Sequence, residues 1–111
     1  DWPEDVESLL VASNAHAPLT LRVNRLRGTR DTYAQALAAA GIEAQPGRHA
    51  SAALRLATGV AVQALPGFEE GLVSVQDEAA QLAAEILAPR AGERVLDACA
   101  APGGKTAQLL E

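Results

Sequence analysis

Several residue types that characterise particular classes of protein are scarce in this chain. Aromatic residues make up only 3% of its 111 residues, so a core must be built mainly from Ala, Leu and Val. The single cysteine excludes an intramolecular disulfide and fits a reducing compartment. No stretch approaches the roughly 20 apolar residues of a membrane span, and the acidic start "DWPEDVESLL" is unlike a secretory signal. We therefore expect a cytoplasmic protein with no membrane segment.

Metal ligands and positive charge are limited as well. His16 and His49 are far apart and have no partners at metal-ligand spacing, so we expect turn or surface roles and no metal site. The formal net charge of -5 argues against a chain that coats a nucleic acid by itself. The basic residues are nevertheless clustered in one segment, at Arg22, Arg25, Arg27 and Arg30. This cluster fits a solvated strand edge and loop, or a contact with an RNA backbone.

The first two thirds of the chain indicate a small α/β unit. "WPEDVESLLVASN" predicts a helix, with Pro3 at its first position and an apolar face from Val6, Leu9 and Leu10. "LTLRVN" alternates apolar and polar side chains, which is typical of a half-buried strand. Residues 19–64 then predict the order strand, helix, strand, strand.

Local signals set the bounds of these elements. Asp31 can cap the helix "TYAQALAAA", and Gly41 stands where a C-terminal cap is expected. Short strands are predicted at residues 42–45 and 53–57, on either side of a turn at residues 46–47. "VAVQALPGFEEG" predicts a further strand that leads into a loop.

The last third predicts a second α/β pattern. After the short strand "LVSVQ", the helix "DEAAQLAAEIL" follows the helical period and can be capped by Asp77 or Ser74. "ERVLDACA" predicts a buried strand, and "GGKTAQLLE" begins another helix. A strand, a glycine turn and a helix start are the first part of a nucleotide-binding sheet. We therefore expect a piece of a longer protein, or a chain whose strand at residues 95–98 is covered by another copy.

The stretch "DACAAPGGKT" does not fit the common phosphate-binding loops. A Walker A loop would need glycine where Cys99 stands, and Pro102 removes one backbone N–H from the cradle. The dinucleotide pattern fails because the two glycines are adjacent and no third follows. A turn before a helix N-terminus remains, where Lys105 could attract a carboxylate and Asp97 could accept bonds from an ammonium. A tight turn with a capping lysine stays possible.

The same stretch resembles motif I of a known enzyme family. "LDACAAPGGKTAQLLE" is similar to that motif in the S-adenosylmethionine-dependent RNA 5-methylcytosine methyltransferases, the Sun or NSUN family. Upstream, "PLTLRVNRLRGTRD", "GIEAQPG", "ALRL" and "LPGFEEGLVSVQDEAAQLAAEIL" are similar to the family in order and spacing. The resemblance covers nearly the whole chain.

The resemblance implies an α/β fold with two parts. It predicts an N-terminal helix and linker at residues 1–18 and a small α/β domain resembling an RNA-recognition fold at residues 19–70. Residues 71–111 would start a Rossmann-like methyltransferase domain, with its entry helix, first strand and motif I loop. The strand, helix, strand, strand segment at residues 19–64 lacks stacking aromatics, since its only aromatic residue, Tyr33, is predicted on a helix. The arginines are therefore expected to position RNA rather than read bases.

The resemblance also implies a cofactor and a substrate. In such enzymes motif I binds the methionine end of S-adenosylmethionine, and in a similar bacterial member a cytosine of 16S ribosomal RNA receives the methyl group. The cofactor-lining positions implied here are Cys99, Ala100, Ala101, Pro102, Gly103, Gly104 and Lys105. The acid that holds the ribose hydroxyls would follow a later strand, absent here.

The catalytic residues are expected beyond this chain. The family attacks carbon 6 of cytosine with a cysteine from a later motif, and a second cysteine releases the product. Cys99 is therefore expected to be mostly buried, and structural or cofactor-lining rather than nucleophilic. Gln76 and Asp77 recur in the resemblance and could border the active site, although helix capping explains Asp77 without any catalytic role and is the preferred interpretation.

Two other functions remain as alternatives. One is a stand-alone RNA-binding module with a vestigial cofactor loop, and the other is a nucleoside-triphosphate-binding protein. In the leading interpretation the chain alone is expected to be inactive, because most of the catalytic domain is not in it.

Overall fold

The computed structural model describes residues 3–15 and 17–111. Asp1, Trp2 and His16 lie outside the described residues, and with them the predicted helix start at Trp2 and the role of His16. The helices are α1 (Val6–Asn14), α2 (Arg30–Ala39), α3 (Glu78–Leu87) and α4 (Gly104–Leu110). The strands are β1 (Leu19–Val23), β2 (Ala44–Pro46), β3 (Ala53–Leu56) and β4 (Val73–Val75), and short 3-10 helices occupy Pro3–Asp5 and Val62–Ala64.

The four strands form one antiparallel sheet in the order β2-β3-β1-β4. Leu21 in the central strand β1 lies opposite Leu54 of β3 and Val75 of β4. The predicted α/β fold and the order strand, helix, strand, strand for residues 19–64 are confirmed. Because β4 completes this sheet, the predicted division between residues 70 and 71 falls before the last strand of the small domain.

The main core lies on the face of the sheet that α2 covers. Leu21, Leu54 and Leu37 are fully buried there, and other short apolar side chains fill the gaps between them. Tyr33 of α2 also belongs to this core, and its hydroxyl donates to the carbonyl of Pro66 at 2.9 Å. Burial raises the pKa of Tyr33 above its usual value. The tyrosine is thus a packing residue, not a platform for bases.

The opposite face of β1 is buried too, which corrects the prediction of a half-buried strand. Thr20 and Arg22, the polar members of the alternating pattern, are only 8% and 1% exposed. α3 packs over this face and places Gln81, which has no exposed surface, against β1. The period-two pattern separates the two faces correctly, but a polar face can be buried when side chains on a neighbouring element supply its hydrogen bonds.

The caps at the two ends of α2 agree only in part with those predicted from the sequence. Thr29 rather than Asp31 is the N-cap: its side chain accepts from the backbone N–H of Thr32, whose hydroxyl in turn accepts from the N–H of Thr29. Asp31 lies in the first turn, where its charge favours the helix dipole. Gly41 follows the helix with φ of +73°, the left-handed conformation expected for its predicted capping role.

Other expectations fail where no neighbouring element covers the segment. The apolar side chains of α1 are about half exposed or more, and Ile86 of α3 is 81% exposed. "VAVQALPGFEEG" forms a 3-10 helix and turns instead of a strand. Residues 95–98 form no strand, and Leu96 is 88% exposed. A parallel strand needs neighbouring strands to take its hydrogen bonds, and no strand of the described sheet lies beside this segment.

Candidate functional site

The glycine-containing stretch forms an exposed loop that leads into α4. Residues 98–102 are exposed, and residues 103–106 are partly buried where the helix begins. Gly103 has φ of +111°, a conformation that side chains other than hydrogen rarely adopt. An added Cβ at Gly103 would meet no atom within 4 Å, so the glycine is required by the turn geometry and not by crowding.

Asp97 holds the two ends of this loop together. One carboxylate oxygen accepts from the hydroxyl of Thr106 at 2.6 Å, and the other accepts from the backbone N–H of Cys99 at 2.9 Å. The hydroxyl of Thr106, the Cys99 N–H and the nearby charge of Lys105 hold the pKa of Asp97 below its usual value. Asp97 is therefore a carboxylate at neutral pH, and each oxygen keeps a further lone pair for a ligand.

Cys99 is exposed, which corrects the expectation of a mostly buried side chain. The expected burial depended on a strand at residues 95–98 packed within a sheet, and that strand is not formed. Cys99 nevertheless lies in the glycine-containing loop, together with the other proposed cofactor-lining residues. Its thiol is accessible to reagents in this chain.

Arg22 is the largest correction among the predicted site residues. The sequence predicts it either on a solvated strand edge or in contact with an RNA backbone, but its guanidinium is buried between β1 and α4. Nη1 donates to Gln76 Oε1 at 2.5 Å and to the carbonyl of Gly104 at 2.6 Å, and Nη2 donates to Glu111 Oε1 at 2.7 Å. This cluster of Arg22, Gln76, Gly104 and Glu111, the arginine node, attaches the glycine loop to the sheet.

Gln81 and Gln108 extend the node, which already contains Gln76, across α3. Gln81 Nε2 donates to the carbonyl of Gln76 at 3.0 Å and to that of Leu21 at 3.3 Å. Gln108 Nε2 of α4 donates to the carbonyl of Gln81 at 2.9 Å. One side-chain atom of each glutamine is buried without a hydrogen-bond partner among the described residues. The orphaned Gln76 Nε2 lies next to Gly104, since a Cβ built on that glycine would be 3.9 Å from it.

The other three arginines of the cluster are at the surface. Arg25 and Arg27 are exposed in the turn after β1, and Arg30 is partly exposed with its Nε 3.9 Å from the Asp31 carboxylate. Asn24 fixes this turn: its side chain accepts from the N–H of Leu26 at 3.0 Å and donates to the carbonyl of Gly71 at 3.1 Å. The structure thus separates Arg22 from the three arginines that remain available to a partner.

Asp77 is the N-cap of α3, as the sequence predicts, because its side chain accepts from the N–H of Ala79 at 2.8 Å. The next residue, Glu78, accepts from the N–H groups of His49 and Ala50 at 2.5 and 3.1 Å. These two bonds, led by the one from His49, hold the pKa of Glu78 below its usual value. They fix the loop between β2 and β3 against α3, and His49 contributes its backbone to this contact.

The described residues show neither a metal-binding cluster nor a membrane-spanning helix. Residues 3–15 and 17–111 contain no group of three or more His, Cys, Asp or Glu that could hold a metal ion. Over the same ranges, no helix has the length and apolar character needed to cross a bilayer. A groove of about 680 Å³ lies between the sheet, α3 and α4, with Arg25, Glu85 and Leu109 among its lining residues.

The sequence reasoning missed the residues that connect the two halves of the site. Glu111, Gln81 and Gln108 were not singled out, although they bind β1, α3 and α4 to one another. A signal was present in α3, where Gln81 interrupts the apolar residues on either side. A glutamine flanked by apolar residues on a helix can indicate a buried hydrogen-bond donor.

Two protein-family models match separate parts of the chain. The model described as "Methyltr_RsmF/B-like, ferredoxin-like domain" matches residues 1–63. The model described as "16S rRNA methyltransferase RsmB/F" matches residues 84–111, which include the glycine loop and α4.

Individual relatives give the same family. The chain is 54% identical over 110 residues to the ribosomal RNA small subunit methyltransferase B of Pseudomonas putida, covering 99% of this chain and 25% of that protein. It is 47% identical over 110 residues to the protein of the same name from Escherichia coli O157:H7, with coverage of 99% and 26%. The crystal structure of PH0851 superposes with a TM-score of 0.84 at 30% identity, covering 96% of this chain and 24% of that one. The chain thus spans about a quarter of the length of these relatives, and it belongs to the RsmB/F family of 16S rRNA methyltransferases.

Proposed function

We propose that the protein containing this chain is an RNA cytosine-5 methyltransferase that takes its methyl group from S-adenosylmethionine and modifies 16S ribosomal RNA. Residues 3–75 would form the domain that faces the RNA, and residues 76–111 would supply the first part of the cofactor site. The observation that carries the proposal is the glycine loop, in which a deprotonated Asp97 and the ammonium of Lys105 lie near each other across an exposed turn.

The loop has the chemistry that the methionine end of the cofactor requires. That end carries an ammonium and a carboxylate, so it pairs with one fixed anion and one cation or helix N–H group. Asp97 can accept from the ammonium, because its two oxygens each have a free lone pair. Lys105 and the backbone N–H groups of residues 103–105 supply donors for the carboxylate. We propose that Cys99, Ala100, Ala101, Pro102, Gly103, Gly104 and Lys105 line the cofactor.

The bound cofactor would supply an electrophilic methyl group, and the residues of this chain would orient it. Asp97 would keep its charge through the bonds from Thr106 and Cys99, so the methionine ammonium would have a fixed partner over the whole neutral pH range. A cysteine elsewhere in the protein would add to carbon 6 of the cytosine, and carbon 5 would then accept the methyl group. Loss of the carbon-5 proton to a base would expel the cysteine from carbon 6 and restore the cytosine ring. Cys99 belongs to the cofactor side of this arrangement.

The RNA would contact the turn after β1. Arg25 and Arg27 are exposed and have no acidic partner within the described part of the chain. Asn24 holds their backbone in place, so two guanidinium groups are presented from a fixed turn. Such groups bind phosphates without reading sequence. Arg30 lies at the start of the following helix and would extend the same contact.

Calorimetry on the intact protein tests the proposal. We expect S-adenosylmethionine and S-adenosylhomocysteine to bind, and ATP not to bind. Asp97→Asn should weaken the binding of both S-adenosyl ligands at least about tenfold, since it removes the charge that faces the ammonium. The matched control is Asp31→Asn, which changes an exposed carboxylate outside the loop. Binding of ATP without either S-adenosyl ligand would contradict the proposal.

The same measurement separates the proposal from a stand-alone RNA-binding module. Such a module would bind 16S ribosomal RNA but neither S-adenosyl ligand, and it would transfer no methyl group to the RNA. Transfer of labelled methyl groups to carbon 5 of cytosine, measured by nucleoside mass spectrometry, would establish the reaction. Methylation at another atom or another base would contradict the cytosine-5 assignment.

A further inference from the structure

The arginine node connects the cofactor loop to a different part of the fold. Arg22 lies in the central strand of the small sheet, whereas Gly104 is the first residue of α4, directly after the loop. A single guanidinium nitrogen, Nη1, donates both to the Gly104 carbonyl at 2.6 Å and to Gln76 at 2.5 Å. Arginine presents five N–H donors in fixed directions on three nitrogens, whereas lysine has three rotatable donors on a single nitrogen.

The environment of the node makes these bonds strong and directional. Arg22 is 1% exposed, so its bonds compete with little water. A hydrogen bond from a charged donor is stronger than one between neutral groups, and the low dielectric of a buried site strengthens it further. Glu111 at the other end of α4 fixes the second nitrogen, Nη2, at 2.7 Å. The first and the last turn of α4 are therefore held by one side chain.

The loop itself has few other attachments to the sheet. The side chain of Asp97 bonds only within its own stretch, to Cys99 and Thr106. Residues 98–102 are exposed. Besides Arg22, the connection between α4 and the rest of the domain in the described residues includes Gln108, whose bond to Gln81 lies one turn farther along the helix. The position of the loop thus depends on the node at its own end of α4.

We propose that Arg22 is a positioning residue for the cofactor loop, which sets the location of residues 103–105 by holding the carbonyl of Gly104. This inference rests on the proposed function, because the loop must bind an S-adenosyl ligand for its position to matter. Arg22 touches neither the cofactor nor the base in this arrangement. Its effect is on how tightly the ligand binds and on how rigid the loop is before the ligand arrives.

Two substitutions in the intact protein test this inference. Arg22→Met removes the charge and all donors, and Arg22→Lys keeps the charge but cannot reach every acceptor. We expect the Kd for S-adenosylhomocysteine to rise at least about tenfold with Arg22→Met and by an intermediate factor with Arg22→Lys. The matched control is Arg55→Met in the adjacent strand β3, which should leave the Kd within about twofold. The affinity for 16S ribosomal RNA should change in none of them.

A second readout needs no ligand. Hydrogen exchange of the backbone amides of residues 107–110, which donate the hydrogen bonds within α4, should be faster in both Arg22 variants than in the wild type or in Arg55→Met. Where Arg22→Met does not fold, the Arg22→Lys variant gives the result. Lower unfolding temperatures with unchanged exchange and unchanged Kd would show a purely stabilising role and overturn the inference.

The two proposals fail in different ways. A wild-type protein that binds no S-adenosyl ligand overturns the proposed function, whereas the exchange rates still decide whether Arg22 fixes the loop. A wild-type protein that binds S-adenosylhomocysteine, together with Arg22 variants that bind it equally well, overturns only the role of Arg22.

Discussion

Arg22 and Glu111 are separated by 89 positions in the sequence, yet their side chains form an ion pair of 2.7 Å. The side chains of the pair are only 1% and 8% exposed. A buried ion pair adds little to stability compared with an apolar pair, but removing one partner leaves the other charge buried without compensation. The pair therefore makes the docking of α4 on the sheet depend on both residues.

Neutralising one member of this pair should destabilise the protein. We expect Glu111→Gln to lower the free energy of unfolding by about 3 kcal/mol, because the Arg22 charge stays buried. Urea unfolding of the intact protein measures the change, with Glu43→Gln at an exposed position as the control. The double variant Arg22→Met/Glu111→Leu should recover part of the loss, since no charge remains buried. A loss no larger than that of the control would contradict the burial of the pair.

The bond between Thr106 and Asp97 should be visible in a titration. Thr106→Val removes the largest cause of the lowered pKa, so the pKa of Asp97 should rise toward its usual value of 3.8. The lowered pKa adds stability that is present above the unfolded-state pKa and is lost as the pH falls through the folded value. The variant should therefore lose less stability on acidification below about pH 4. Carbon NMR of the Asp97 carboxyl measures the pKa, and Thr32→Val, which acts at a distant helix cap, should leave it unchanged.

The proposal that Cys99 is not the attacking cysteine can be tested with modified RNA. A cytosine analogue with fluorine at carbon 5 cannot lose that substituent, so the attacking cysteine stays covalently attached to the RNA. Cys99→Ala in the intact protein should still form this adduct with 5-fluorocytidine RNA, observed as a shifted band under denaturing conditions. Loss of the adduct in a folded variant that binds S-adenosylhomocysteine would make Cys99 the nucleophile and overturn the assignment.

The turn after β1 should contribute to RNA binding through phosphate contacts. Arg25→Gln and Arg27→Gln should each weaken binding to 16S ribosomal RNA and reduce by about 1 the slope of log K against log salt. The effect should be similar for unrelated RNA sequences, because phosphates carry no sequence information. Filter binding over a series of salt concentrations measures the slope. Arg48→Gln, an exposed arginine in another loop, is the control, and slopes equal to that control would exclude the turn from the interface.

Glu78 provides a pH-dependent contact outside the glycine loop. Its lowered pKa comes first from the N–H of His49 and then from that of Ala50, so the contact weakens only as the pH falls through a value below 4.5. We expect Glu78→Gln to speed hydrogen exchange of these two amides already at neutral pH. Glu69→Gln, which changes a carboxylate with no such role, should not affect them. Equal exchange in the two variants would contradict the anchoring of this loop by α3.

The elements predicted best from the sequence are those whose stability is local. The alternation in "LTLRVN", the helix period in α2 and α3 and the caps at Gly41 and Asp77 all depend on residues within a few positions of one another. These signals placed β1, β3 and both helices to within a residue or two. The cap of α2 was assigned wrongly only because Thr29 and Asp31 can both accept bonds from helix N–H groups.

Features that depend on distant partners could not be predicted in this way. The burial of Arg22 requires Glu111, whose position follows from the docking of α4 and not from any local pattern. The assignment of β4 to the small sheet requires its pairing with β1 across a long connection. Residues 95–98 are mostly apolar, as in a buried strand. A strand also needs neighbouring strands to take its hydrogen bonds, and the sequence of residues 95–98 does not show whether such strands lie beside it.

The short junction between β4 and α3 has a consequence for dividing the protein into parts. Only Gln76 and the cap residue Asp77 lie between the end of the sheet and the start of the helix. A cut after residue 63 would remove the strand that pairs with one edge of β1, and a cut after residue 87 would deprive Arg22 of two of its three acceptors. The smallest piece that can be exchanged between relatives without leaving a buried charge unpaired therefore reaches from β1 through Glu111, and chimeric proteins should be joined outside it.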